Sequence, residues 1–202
     1  MSNHKLIFTN IYNKNIWGKG SGGGSSYNYN KQYIKFLEKF IKNNLIKSIV
    51  DLGCGDWQFS KHINFNNINY LGVDCVDSVI ENNIKNFKNS TINFKCKDIS
   101  NIDCIKEYIT NCDLILIKDV LQHWEDISIL KWLNQISIIK PKNLLVTNSY
   151  KHIRQPEKNK TDRDINNKYH YSPLDLTKKP FNAYNFKKVF KFKFKEVFLL
   201  NN

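Results

Sequence analysis

Ser48-Ile49-Val50-Asp51-Leu52-Gly53-Cys54-Gly55-Asp56 is the stretch whose reading decides the fold. Its first five residues form a short apolar run of the kind that makes a buried strand. Two glycines then stop it, because glycine enters left-handed backbone conformations without steric cost. Upstream, Tyr33, Phe36, Leu37, Phe40 and Ile41 recur at spacings of three and four, which predicts an amphipathic helix over 29–44. Downstream, the pattern predicts a helical stretch through His62, a second strand at 70–74, a helix over 76–87 and a third strand at 92–96. A helix over 102–109, a fourth strand at 113–117, a long helix over 120–138 and a fifth strand at 143–147 follow. Strands alternating with helices predict an α/β fold whose parallel sheet is covered on both faces. From 186 to 200 lysines alternate with Phe or Val, which predicts two antiparallel strands closing one sheet edge.

The chain has 202 residues, the length of one ordinary domain. Its apolar runs, such as 114–117, fall far short of the roughly 20 residues that cross a bilayer. The first ten residues lack the apolar core of a secretory signal, so the expected location is the cytoplasm, or the host cytoplasm or virion if the source is viral. A net charge of +13 has two readings. It fits a polyanionic partner, yet arginine occurs only as Arg154 and Arg163 amid abundant Lys, Asn and Ile, as drift in an AT-rich genome would leave it. The five cysteines contain no Cys-x-x-Cys pair, so neither a zinc site nor a disulfide framework is expected. No acidic cluster demands a metal.

Residues 18–26, Gly-Lys-Gly-Ser-Gly-Gly-Gly-Ser-Ser, would serve as a linker, but the seventeen residues before them include Ile11, Tyr12, Ile16 and Trp17, which need a surface to pack on. The expectation is a lid over 1–28 preceding a single domain over 29–202. Residues 151–182 carry Pro156, Pro173 and Pro180 and are long for a connection, hence functional or disordered.

Ligands of open parallel sheets lie beyond the carboxyl ends of the strands. Four predicted strand ends carry polar residues: Asp51 and Asp56 around the glycines, Asp74 about twenty residues on, Asp98, and Lys118 with Asp119. An acid at the second strand end can accept the hydroxyl protons of a ribose. A dinucleotide site would want a third glycine, and acids flanking the turn would repel a pyrophosphate. A cationic, phosphate-free nucleoside such as S-adenosylmethionine suits this charge better.

In order and spacing, Val50-Asp51-Leu52-Gly53-Cys54-Gly55, Gly72-Val73-Asp74, Lys97-Asp98-Ile99 and Asp113-Leu114-Ile115-Leu116 resemble the four motifs of class I S-adenosylmethionine-dependent methyltransferases. The resemblance covers residues 48–147. It implies a Rossmann-like three-layer sandwich, mostly parallel with a C-terminal antiparallel hairpin, and S-adenosylmethionine as cofactor. It further implies that Asp51, Gly53 and Gly55 shape the methionine pocket, that Asp74 holds the ribose and that Asp98 with Ile99 borders the adenine. Cys54, Cys75 and Lys118 fall beside these as further cofactor-binding candidates. Trp57 stands where a third alternate glycine is common, which implies a bulkier pocket wall. Trp17-Gly18, Gly55-Asp56-Trp57, Lys118 to His123, Pro173 to Leu176 and Pro180-Phe181-Asn182 are similar to a group of small bacterial and giant-virus methyltransferases linked to glycan synthesis.

Methyl transfer to oxygen is an in-line displacement that needs alignment and, for a hydroxyl, removal of a proton. Asp119 and His123 lie four apart at the start of a predicted helix, hence on one face. His123 is the candidate base, with Asp119 orienting it or lining the donor pocket; packing is the plainer role for His123. Trp17 is either an aromatic plug over the cofactor or a packing anchor. His152, Tyr169, His170 and Tyr171 could reach an acceptor or simply be solvated, and Asn148 and Ser149 end strand five. No Asp/Asn-Pro-Pro-Tyr element follows strand four, which argues against methylation of adenine amino groups in DNA. The leading expectation is O-methylation of a sugar, in a nucleotide-sugar or glycan. RNA methylation is the alternative, and a catalytically silent cofactor-binding subunit is a third reading.

Overall fold

The computed structural model describes residues 3–151 and 171–201. Seven strands form one sheet: β1 (Ser48–Leu52), β2 (Asn69–Asp74), β3 (Ile92–Cys96), β4 (Leu114–Lys118), β5 (Asn143–Ser149), β6 (Lys187–Phe192) and β7 (Lys195–Asn201). Their order is β3-β2-β1-β4-β5-β7-β6. The first five are parallel, and β7 runs antiparallel to both β5 and β6. The chain builds outward from β1 through β2 to β3, then returns to the other side of β1 for β4 and β5. The winding therefore reverses between β1 and β4, where such sheets open a crevice for ligands.

The strands read as unbroken apolar runs because both faces are covered, yet successive side chains still alternate. Val50, Leu52, Ile115, Ile117, Leu144 and Val146 pack on one face against Ile129, Trp132, Leu133 and Ile136 of helix α5 (Asp126–Ile139). Ile49, Leu114, Leu116 and Leu145 pack on the other against Tyr33, Ile34, Leu37 and Ile41 of a long helix over Tyr27–Asn43. The result is the expected three-layer sandwich with a C-terminal antiparallel hairpin. In chain order the helices are α1 (Asn3–Asn13), α2 (Tyr27–Asn43), α3 (Asp77–Phe87), α4 (Lys106–Ile109) and α5. No helix among the described residues is long and apolar enough to cross a membrane.

Three helical expectations are corrected. After β1 the chain makes only a 3-10 turn at Ser60–His62. Gly53, Gly55 and Trp57 alternate in left-handed conformations at φ 80°, 57° and 59°, and a right-handed helix cannot start through them. The expected helix over 102–109 divides into a 3-10 turn at Ile102–Cys104 and the single turn of α4. The one expected from Val120 begins only at Asp126, because Asp119 is left-handed at φ 60° and Leu121–His123 forms a 3-10 turn. Asp119 and His123 therefore do not share a helix face.

Candidate active site

A cavity of about 510 Å³ lies over the carboxyl ends of β1, β2 and β4, reaches the end of β5 and the start of β7, and is flanked by α1 and the Gly/Ser run. Asp51, Gly53, Cys54, Gly55, Asp74, Cys75, Asp98, Ile99, Lys118, Asp119, His123 and Trp17 all line it. The expected site residues thus meet in one place. His152, Tyr169 and His170 lie outside the described residues; Tyr171 lines the cavity, whereas Asn148 is buried and does not.

On the β1–β3 side the backbone turn is fixed by its own amides. Gly53 and Cys54 donate N–H bonds to the Val73 carbonyl at 2.7 and 3.1 Å, and Asn83 Nδ2 donates to the Gly55 carbonyl at 2.7 Å. Asp74 accepts one N–H on each oxygen, from Gly55 and Val76, both at 3.1 Å. Burial pushes its carboxyl up from the ordinary range against the pull of the Val76, Gly55 and Cys75 backbone N–H groups. Asp51 Oδ2 accepts the Tyr70 hydroxyl at 2.6 Å, and Tyr70 in turn accepts Trp57 Nε1–H at 2.9 Å. Burial raises the Asp51 carboxyl to about 6, although the Tyr70 bond and the Lys118 charge pull it down. Asp98 Oδ1 accepts both the amide and the hydroxyl of Ser100, and the Ile99 carbonyl accepts Trp132 Nε1–H. The buried Cys54 thiol is pushed well up, which leaves it a neutral apolar wall.

One role implied by the resemblance changes here, and so does what the helical stretch expected after β1 would have placed at the cavity. Trp57 is not a pocket wall: its ring packs within 5.0–6.1 Å of Phe65, Tyr70, Phe87 and Phe94, beneath the turn. Moreover, no helix begins at the glycines, so no helix N-terminus faces the cavity there. The glycines make room for protein neighbours. A Cβ at Gly53 would lie 2.2 Å from Val120 Cγ2, and one at Gly55 would lie 2.4 Å from Ser21 Oγ.

The N-terminal segment is tied onto this turn. Ser21 N–H donates to Asp56 Oδ2 and Asp56 N–H donates to Ser21 Oγ, both at 3.1 Å, while Ser21 Oγ also pairs with the Tyr12 hydroxyl at 2.6 Å. Ser26 ends the Gly/Ser run and caps α2 by accepting the Tyr29 N–H. Asn30 Nδ2 donates to the Gly24 and Ser26 carbonyls at 2.8 Å, holding the run against α2. Trp17 then lies beside His123, ring centroids 5.0 Å apart.

On the β4–β7 side, Asp119 meets cations rather than His123. Lys118 Nζ reaches Oδ2 at 2.6 Å and Lys195 Nζ reaches Oδ1. Burial alone would raise the Asp119 carboxyl, but the two ammoniums outweigh it and hold the group at about 2. Burial and the Lys118 charge lower the Lys195 ammonium despite Asp119. Lys195 also donates to Ser149 Oγ at 2.8 Å. Ser149 N–H donates to Gln122 Oε1 at 2.8 Å, which leaves Gln122 Nε2 as the end facing His123 Nε2, 3.5 Å away. Lys195 and Gln122 escaped the sequence reading. Read as one alternating tail, Lys195 belongs with the surface lysines; only the hairpin turn at Lys193-Phe194 places it opposite Ser149 of β5.

Residues 46–193 match the family model of a methyltransferase domain. None of the curated proteins matches the sequence. Among solved structures the chain is similar to human N-acetylserotonin methyltransferase in complex with SAM, at 16% identity and a TM-score of 0.60, covering 100% of this chain and 60% of that one. It is similar to the small RNA methyltransferase HEN1 at 13% identity and TM-score 0.63, over 85% of this chain and 25% of that one. A third likeness is to magnesium protoporphyrin IX methyltransferase from Synechocystis PCC 6803 with bound SAH, at 13% identity and TM-score 0.66, over 98% of this chain and 100% of that one. The chain thus spans 60% and 25% of the first two proteins, and at these identities the likeness is one of fold.

Proposed function

The chain belongs to the class I S-adenosylmethionine-dependent methyltransferase family, and from that premise we propose that it O-methylates a sugar, with the donor lying along β1–β3 and the acceptor at β4–β7. The residues fit the donor. Asp51 offers an anion to its cationic methionine end, and Asp74 keeps acceptor capacity for a ribose hydroxyl beyond its backbone N–H partners. Asp98 and Ile99 stand where the adenine would end. S-adenosylmethionine supplies a methyl group on a sulfonium; the chain's residues have to exclude water, align the acceptor and take its proton. The segment before Ser26 acts as the lid, with Trp17 over the site. His123 acts as the base, and Asp119 positions the two lysines.

Cavity size carries the choice of acceptor. About 510 Å³, flanked by an N-terminal segment bonded to Asp56, is the scale of a small-molecule site and has to hold donor and acceptor together. Trp17, Tyr171 and Phe8 add ring faces against which a sugar can pack. A polynucleotide would need an open track instead. Transfer of labelled methyl from S-adenosylmethionine to pools of nucleotide-sugars, glycans and RNA tests the reading. Label is expected in a sugar pool; label confined to RNA would replace it with the RNA reading.

A further inference from the structure

Lys118 ends β4, Asp119 follows it and Lys195 opens β7, and the three form a cavity-lining ionic cluster with one net positive charge. Buried charge is costly unless it is paired and hydrogen-bonded. Lys118 is saturated: beyond Asp119 it faces the Gly24 carbonyl at 3.4 Å and lies over the Phe59 ring at 5.0 Å. Lys195, only 4% exposed, is not. An ammonium has three N–H bonds, and among the described residues its acceptors are Asp119 and Ser149. Ser149 Oγ accepts from Lys195, so its hydroxyl proton is left to donate. That corner of the cavity therefore presents donors and excess positive charge together, which is complementary to an oxyanion.

The sheet order says whose oxyanion it is. Asp74 ends β2 and Asp98 follows β3 on one side of β1, whereas Ser149 and Lys195 belong to β5 and β7 on the other. We propose that Lys195 and Ser149 form an oxyanion subsite for the acceptor, which therefore carries a phosphate or carboxylate, as a nucleotide-linked or acidic sugar does and a neutral glycan does not. The proposal rests on the reading of the cavity as a sugar O-methyltransferase site.

Calorimetric titration with inorganic phosphate, and in parallel with acetate, tests it on the free protein and on the protein saturated with S-adenosylhomocysteine. Wild-type protein is expected to bind at least one of the two anions. Lys195→Met is expected to weaken that binding about ten- to hundredfold, and Ser149→Ala several-fold, with S-adenosylhomocysteine affinity held within about twofold. Ser149→Ala keeps all three charges and decides the matter if Lys195→Met does not fold. No uptake of either anion by the wild type, or uptake unchanged in both variants, overturns the subsite. So does a Lys195→Met variant that loses affinity for S-adenosylhomocysteine but not for 5′-methylthioadenosine, which lacks the amino-acid portion; the ammonium would then serve the donor's carboxylate. Variant-sensitive anion binding without any S-adenosylhomocysteine binding would leave the subsite standing and remove the donor reading alone.

Discussion

A carboxylate as buried as Asp51 is a reluctant anion until a cation reaches it. Its group titrates at about 6 in the fold against an ordinary value of 3.8, because burial outweighs the Tyr70 bond. Between those values the folded chain holds a proton that the unfolded chain has released, so this residue makes the unligated protein less stable as pH rises from about 4 to 6, by on the order of 2–3 kcal/mol. Asp119 works in the opposite sense: held at about 2, it contributes stability above about 4 that is lost as pH falls through 2. Melting of the unligated protein should thus improve on acidification from pH 7 to 5, and Asp51→Asn should flatten that slope. Affinity for S-adenosylmethionine should run the other way, weakening up to about tenfold per unit below pH 6 in the wild type, with the asparagine variant weak and less pH-dependent in calorimetry, its remaining slope owed to Asp74. For His123, replacement by Ala should lower kcat about 10²–10⁴-fold while S-adenosylhomocysteine binds nearly as before. Equal losses in both would make it a donor-binding residue.

The turn after β1 and the N-terminal segment act as one unit, because Ser21 and Asp56 exchange bonds across a glycine that admits no side chain. Asp56→Ala removes the acceptor for the Ser21 amide. Hydrogen exchange across residues 3–26 should speed up while β1 and β4 stay protected, and donor affinity should drop about tenfold. Unchanged exchange would mean that α1 and the ring contacts of Trp17 hold the segment by themselves. Gly53→Ala should cost about 1–3 kcal/mol in chemical denaturation, from its φ of 80° and the approach to Val120. At this scale the sequence was readable wherever burial was strictly periodic. All seven strands and the long helix α2 follow from their apolar spacing, and the strand-end acids converge because parallel topology gathers carboxyl ends. Short-range pattern failed where long-range packing sets the backbone. Trp57 adopts a left-handed conformation so that its ring reaches Phe65, Tyr70 and Phe94, and nothing within a helical window announces those partners. Asp119 likewise turns left-handed between its two lysines, one of them 76 residues away. Lys195 was hidden for the same reason.

The charge of +13 acts over the whole molecule, and it separates the two acceptor classes by the number of phosphates engaged. Cations cluster at the cavity end of the β6–β7 hairpin, where Lys193 lies 4.4 Å over Tyr29 and Lys191 lies 4.0 Å over Tyr150, beside the strand that carries Lys195. Such a field concentrates any anionic ligand at the mouth, whether polymer or small molecule. A polynucleotide tracked by six to ten lysines would lose about 10³–10⁵ in affinity between 50 and 200 mM salt, because each neutralised phosphate releases counterions. A sugar held through one oxyanion in an enclosed cavity releases few ions and should show a shallow dependence. RNA retention on filters is therefore expected to collapse over that range while methyl transfer to an anionic sugar falls only several-fold, and RNA recovered at low salt should carry no labelled methyl. A transfer rate that declined in step with RNA retention, with label on the RNA, would mean that the lysines track a backbone and that the N-terminal segment opens to admit it.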